Sequence, residues 1–397
     1  MQPILAIGLL LLTKRVTGYL VPNPPGKYNV TLTTGSLIDY SRNDPYAATP
    51  TPRALMLSVF QPAKCASTVP VPIMPDEVAD YQGPFLQETF NISANFTPLF
   101  LEARLPVCSS DHARGCSALD DSPILLFSPG YSIPRFYYNV LASAIASEGF
   151  TVITIDHPED TNIIVYPDGH AVYNNASILD SPTWDLYPLA ADTSFVIDQL
   201  SNATAIAALL PRRGPRPFRT YRVAALGHSV GGAAAVVAAS RDPRIRGAIN
   251  WDGTILGMSP PAGEPSSSSS SPQPSLPVRP MAQPVLFMSH QNFLDPTWTA
   301  TWERLAGPKM IVYVENTTHY TFSDVPTLLQ AAGQSTEPWA ELLGTIAPAE
   351  MVRVLTAYTT AWMRAVFAGN MEAGGPLLKE TAPGRFPGVS ILMKGNL

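Results

Sequence analysis

The chain has 397 residues, 46% of them hydrophobic and 14% charged, which is enough apolar material for one large core and too little charge for a disordered protein. A formal net charge of -6 and the lack of any long Lys/Arg run exclude a nucleic-acid surface. No Cys/His cluster has zinc spacing and no Gly-rich loop could cradle a phosphate, so no metal and no cofactor are expected.

At the N-terminus an apolar run from Pro3 to Leu12 is followed by Lys14-Arg15 and the small residues Val16-Thr17-Gly18. The run is too short to span a bilayer and reads as a signal peptide over residues 1–18. Six Asn-x-Ser/Thr sequons, at Asn29, Asn91, Asn95, Asn175, Asn202 and Asn316, accompany it, and leader and sequons together predict a secreted, extracellular glycoprotein. The remainder, residues 19–397, reads as a single domain. Three cysteines allow one disulfide, and the short separation of Cys108 and Cys116 favours that pair, with Cys65 left over.

From Tyr19 to Ala118 the chain is rich in Pro and sequons, and alternating stretches such as Ala54 to Phe60 suggest an early antiparallel strand pair. Little chemistry can be assigned there. From Pro123 the rhythm changes to a buried strand, Ile124 to Phe127, a helix, Phe136 to Ser147, and a second buried strand, Thr151 to Ile155. This β-α-β unit predicts a mostly parallel central sheet with helices on both faces. The first strand ends in Ser128-Pro129-Gly130-Tyr131-Ser132, a turn whose amides would face the C-terminal edge of the sheet, where such folds bind ligands. Asp156 to Pro182 is a long polar and aromatic excursion of the kind that forms lids or substrate rims. A helix is predicted from Trp184 to Leu210.

Tyr221 to Ser240 then organises the chemistry. Arg222 to Leu226 is a strand-length apolar run, Gly227-His228-Ser229-Val230-Gly231 fits G-x-S-x-G, and Gly232 to Ala239 is a run of small residues that reads as a helix. By composition alone the five-residue pattern would arise about once in eight chains of this length, so its placement between strand and helix carries the inference. A serine hydroxyl attacks only when it stands clear of the backbone on a tight turn, and Gly227 and Gly231 remove the Cβ atoms that would collide there. Such a nucleophile takes one oxyanion donor from the amide of the next residue, Val230, and a second from the loop after an early strand, here Tyr131.

After the serine helix come a short strand, Gly247 to Asn250, leading into Trp251-Asp252-Gly253, and a Ser/Pro-rich tract over about 257–280, including Ser266 to Ser271, that cannot pack a core and predicts a disordered insertion. Strands at Pro284 to Met288 and Lys309 to Val314 lead to His290 and His319, and Ala347 to Phe367 is a closing amphipathic helix. A serine hydrolase needs a histidine base and a carboxylate in the order Ser, Asp/Glu, His. His319 follows the last predicted strand and is the favoured base, with His290 a partly buried structural residue. Asp252 ends a strand and Asp295 follows the next one, and both remain candidates for the acid.

The segments FSPGYS (127–132), EGFTVITIDHPED (148–160), GHSVGG (227–232), NWDG (250–253) and HYTFSD (319–324) resemble the platelet-activating-factor acetylhydrolase family of lipoprotein-associated (group VII) phospholipases A2, particularly secreted fungal members, over roughly residues 50–390. The resemblance implies an α/β-hydrolase fold, selects Asp252 over Asp295, and places the base at His319. It implies a calcium-independent esterase acting on glycerophospholipids with a short sn-2 acyl group, such as 1-alkyl-2-acetylglycerophosphocholine, with at most transient contact to a lipid surface and no obligate protein partner. Pro129, where the family often has His, and the serine-rich insertion depart from its pattern.

Overall fold

The computed structural model describes residues 18–108, 121–174, 185–211, 213–256, 277–379 and 385–397. The expected signal peptide, nearly all of the Ser/Pro-rich tract, Asn175 and Cys116 lie outside these residues.

Three strands open the chain: β1 (Tyr19–Leu20), β2 (Asn29–Asn43) and β3 (Pro52–Ala63). They are followed by β4 (Thr68–Pro72), the helices α1 (Asp76–Phe90) and α2 (Thr97–Glu102), and β5 (Ala103–Cys108). β1, β5 and β4 form a small separate sheet. Antiparallel pairing sets Thr68 opposite Cys108, which carries Cys65, three residues upstream, to the end of β5. The disulfide accordingly joins Cys65 and Cys108, with Cα atoms 5.8 Å apart. This corrects the expectation of a Cys108–Cys116 loop, because strand pairing overrides nearness in sequence.

The body of the protein is a nine-stranded sheet. After β6 (Ile124–Ser128) come α3 (Asn139–Ser147) and β7 (Thr151–Asp156), then a small hairpin of β8 (Ile163–Val165) and β9 (Ala171–Tyr173). Two helices, α4 (Tyr187–Leu200) and α5 (Ala203–Leu209), lead into β10 (Val223–His228), α6 (Val230–Arg241) and β11 (Ile245–Trp251). The last part runs through β12 (Val285–Ser289), α7 (Pro296–Trp302), β13 (Lys309–Val314), α8 (Val325–Ala331), α9 (Ala340–Leu343), α10 (Pro348–Ala368) and β14 (Val389–Gly395). The sheet order is β14-β13-β12-β11-β10-β6-β7-β3-β2. The six strands from β13 to β7 are mutually parallel, and β14, β3 and β2 run antiparallel to their neighbours.

The central strands are buried on both sides, which is why they read as continuous apolar runs rather than alternating ones. Leu125, Phe127, Leu226, Ile249 and Val312 face the core shared with α3, α8 and α10, whereas Ile124, Leu126, Ala225, Phe287 and Ile311 face the core shared with α4 to α7. This alternation is the period-2 geometry of a strand. The predicted helix over 184–210 is two helices, because Asn202 is extended and its side chain accepts from the amides of Thr204 and Ala205, starting α5 afresh. The predicted helix over 136–147 becomes a 3-10 turn, Arg135–Tyr138, followed by α3. Its start is set by Asp324, whose carboxylate accepts from Val140 N at 2.6 Å and Leu141 N at 3.1 Å.

Candidate active site

Ser229 stands between β10 and α6 at φ 55°, ψ -129°, in the left-handed half of backbone space that costs a non-glycine residue about 1–3 kcal/mol. The crossing around it leaves no room for side chains. A Cβ on Gly227 or on Gly231 would collide with the Ser128 carbonyl oxygen, and one on Gly253 with the Ser229 carbonyl oxygen. The serine amide is tied to the Trp251 carbonyl of the next strand at 2.8 Å, so the turn that presents the hydroxyl is held from both sides.

The His319 ring bridges to this serine: Nε2 lies 3.0 Å from Ser229 Oγ and Nδ1 lies 2.6 Å from Asp252 Oδ2. Asp252 is buried at the end of β11. Burial alone would raise its pKa, but hydrogen bonds from His290 and His319 and their proximity hold the carboxyl well below the usual carboxylate range. The rival acid Asp295 is elsewhere, accepting from Thr297 N at 2.7 Å at the start of α7. His290 is half-buried, as expected, but it is not remote. Its backbone amide donates to Asp252 Oδ1 at 2.9 Å and its Nδ1 lies 2.8 Å from Oδ1 and 2.7 Å from Oδ2. Two histidines therefore share one carboxylate.

Behind the serine a buried relay supports both sides of the site. Gly130 N donates to the Tyr138 hydroxyl at 3.2 Å, which lies 2.8 Å from His228 Nδ1, while His228 Nε2 lies 3.0 Å from the His319 carbonyl oxygen. A carbonyl can only accept, so Nε2 carries the proton and Nδ1 accepts from the tyrosine. Burial, and then the neighbouring His319, push the His228 pKa down to about 3, so this tautomer persists in the neutral ring. A second buried relay lies under the 128–132 turn: Ser128 Oγ is 3.0 Å from His157 Nε2, and His157 Nδ1 is 2.8 Å from Asp192 Oδ2. Asp192 also takes Arg53 Nη2 at 2.8 Å. Neither relay was foreseen, although His157 and His228 each sit within one residue of a strand end.

Of the expected oxyanion residues, Val230 directly follows the serine in the chain and Tyr131 directly follows Gly130. Val230 is the first residue of α6, so its N–H has no partner within the helix. Tyr131 is half-buried and follows Gly130, whose missing Cβ would sit 3.2 Å from the Ser229 Cβ. Next to the site lies an apolar cavity of about 30 Å³, lined by Tyr138, His228 and Tyr320 together with Phe90, Phe96 and Trp339. Phe90 and Phe96 come from the N-terminal region to which no chemistry could be assigned. The predicted rim over 156–182 contributes the β8–β9 hairpin, where Asn174 reaches the Ser132 hydroxyl at 2.5 Å. Of the described sequon asparagines, Asn91, Asn95, Asn202 and Asn316 are exposed, and Asn29 is half-buried with its amide donating to the Cys65 carbonyl at 3.2 Å.

Comparison with known proteins places the chain in a family. A model of the alpha/beta hydrolase family matches residues 125–381. A probable 1-alkyl-2-acetylglycerophosphocholine esterase of Arthroderma benhamiae is 31% identical over 339 residues, covering 80% of this chain and 79% of that protein. The solved structure of a ferulic acid esterase from Streptomyces cinnamoneus superposes with a TM-score of 0.72 at 24% identity, over 95% of this chain and 100% of that one. At that identity the likeness speaks for the fold alone.

Proposed function

The chain belongs to the α/β-hydrolase family and is an esterase of that fold, and from that premise we propose that it hydrolyses the short sn-2 acyl ester of glycerophospholipids through Ser229, His319 and Asp252. The observation that carries the catalytic reading is the unbroken hydrogen-bonded path from Ser229 Oγ through His319 to Asp252. His319 Nε2 takes the serine proton as Oγ attacks the ester carbonyl, and then returns it to the leaving alcohol; Asp252 holds the Nδ1 proton and stabilises the imidazolium. The amides of Val230 and Tyr131 receive the oxyanion, one such donor being worth about 2.7–4 kcal/mol. Water then releases the acyl group from Ser229 by the same steps in reverse order. Charge on the oxyanion is met by amides, so calcium has no role in the reaction.

Two observations favour the lipid substrate. The relative at 31% identity is named for 1-alkyl-2-acetylglycerophosphocholine hydrolysis, and the cavity beside His228 is lined mostly by apolar side chains, which suits an acyl group. We take the leader and exposed sequons as support for a secreted glycoprotein that meets lipid surfaces transiently. The test is hydrolysis of 2-acetyl against long-chain sn-2 phosphatidylcholine in EDTA, with Ser229→Ala alongside. Fast acetyl release that vanishes in the variant supports the reading. Turnover of simple esters but of neither phospholipid moves the function to a general carboxylesterase. No ester turnover and no labelling of Ser229 by a fluorophosphonate overturns the catalytic assignment.

A further inference from the structure

The shared carboxylate has a consequence beyond holding His319. Asp252 Oδ1 is occupied by the His290 backbone amide at 2.9 Å, while Oδ2 faces two ring nitrogens at once, His290 Nδ1 at 2.7 Å and His319 Nδ1 at 2.6 Å. Among the described residues this is the cluster of three His, Cys, Asp or Glu side chains whose ligand atoms all lie within 4.8 Å of one another. A serine hydrolase needs one such histidine. The second, His290, brings a further imidazole from the end of the neighbouring strand and has its ring stacked on Phe293 with centroids 4.6 Å apart.

We infer that Asp252 Oδ2, His290 Nδ1 and His319 Nδ1 form an inhibitory site for a zinc-class divalent transition metal. Two imidazoles and one carboxylate are the donor set of three-ligand zinc sites, which leave a fourth position to water. Zinc bonds to nitrogen and oxygen are about 2.0–2.2 Å, so tetrahedral ligand atoms sit about 3.3 Å apart. The two imidazole–carboxylate separations, 2.7 and 2.6 Å, need to open by only roughly 0.6–0.7 Å, and all three ligand atoms already lie within 4.8 Å of one another. The histidine side chains are 25% and 35% exposed, which gives the ion and its water a path in. Hard ions such as calcium and magnesium prefer all-oxygen sites and fit this donor set poorly.

The inhibitory effect rests on the proposed role of His319 as base, but metal binding does not. To bind, each ring must offer Nδ1 as a lone pair, so its proton moves through solvent to Nε2 and none is lost. For His319 that change turns Nε2 from acceptor to donor. The Ser229 hydroxyl then loses its base, and Asp252 no longer receives the Nδ1–H that orients the ring. The enzyme is switched off by tautomer rather than by blockage of the cavity.

The experiment uses the full chain without a histidine tag, and measures both esterase rate and metal binding. Zinc should inhibit wild type while equal calcium or magnesium leaves the rate unchanged. In His290→Asn, whose amide can still donate to Asp252, the zinc concentration for half-inhibition, taken relative to that variant's own zinc-free rate, should rise by at least about tenfold. Calorimetry with zinc, and the visible absorption of bound cobalt(II), should report one site in wild type and in Ser229→Ala, and loss of it in His290→Asn and His290→Gln. The Ser229→Ala arm reports binding without activity, so a failed catalytic assignment and a failed metal site give different results. Absence of zinc binding to wild type, or inhibition of His290→Asn as strong as that of wild type, overturns the inference.

Discussion

Asp160→Asn should make the protein more stable at neutral pH. Asp160 lies in the turn after β7, 3% exposed, with its Oδ1 lacking any partner. Burial lifts its pKa from 3.8 to about 6, opposed by His157 and Arg53 and reinforced by Asp192. Arg53 cannot do more, because its guanidinium is already bound to Asp192 and Asp44 at 2.8–2.9 Å. A carboxyl whose folded pKa exceeds its unfolded value holds its proton more tightly when folded, so ionising it at higher pH costs stability. The gap between about 6 and 3.8 is worth about 3 kcal/mol at any pH well above 6. Asparagine has the same shape and no charge to bury. Urea unfolding of both proteins should show the variant ahead by about that amount at pH 8, with the advantage shrinking through pH 6 and gone below about pH 4. A variant less stable than wild type at pH 8, or a gain that does not change with pH, would refute the assignment of an uncompensated buried charge.

The neighbouring Asp192 predicts the opposite sign. Burial alone would raise its pKa, yet Arg53 and His157 hold it well below the usual range, so the stability it contributes is present above its unfolded pKa near 4 and lost as pH falls further; Asp192→Asn should lower the urea midpoint at pH 7, with the difference narrowing only in acid. Tyr138→Phe strands Gly130 N–H and His228 Nδ1, both buried, and should cost about 1–3 kcal/mol in the same assay and lower kcat more than it raises KM, since the turn beside Ser229 loses its anchor. Cys65→Ser removes a link between residues 43 apart in sequence and should cost about 4 kcal/mol on loop-entropy grounds, read as a drop in melting temperature that reducing agent reproduces in wild type.

Much of this molecule was legible because its strands are buried on both faces. Ile124 to Phe127, Thr151 to Ile155, Pro284 to Met288 and Lys309 to Val314 read as apolar runs and fold as β6, β7, β12 and β13 within a residue or two. β14 escaped because it is an edge strand, half-buried along its length, with Lys394 among its residues, and its pairing with β13 is a tertiary event without a local pattern. The disulfide was missed for a related reason: a 43-residue separation is closed by the β4–β5 register. The apolar wall from α1 and the segment after it was unreadable, since Phe90 and Phe96 reach the cavity by packing against Tyr320 and Trp339, residues some 230 or more positions away in sequence.

The site itself follows from one regularity that does reside in the sequence. β10, β11, β12 and β13 are neighbours in the sheet in the order they occur in the chain, and parallel strands place all their C-terminal ends on one edge about 4.8 Å apart. Each of those ends delivers one polar side chain to that edge: Ser229, Asp252, His290 and His319. Chain order therefore becomes spatial order, and a search for the last histidine after the serine finds His319. The same regularity says that the strand between acid and base must also bring something to the edge, and here it brings His290. His319 opens a 3-10 turn, His319–Phe322, and its ring reaches both Asp252 and Ser229. His290 meets the same carboxylate, a position that chain order alone makes available and that only the folded backbone fills with two nitrogens on one oxygen.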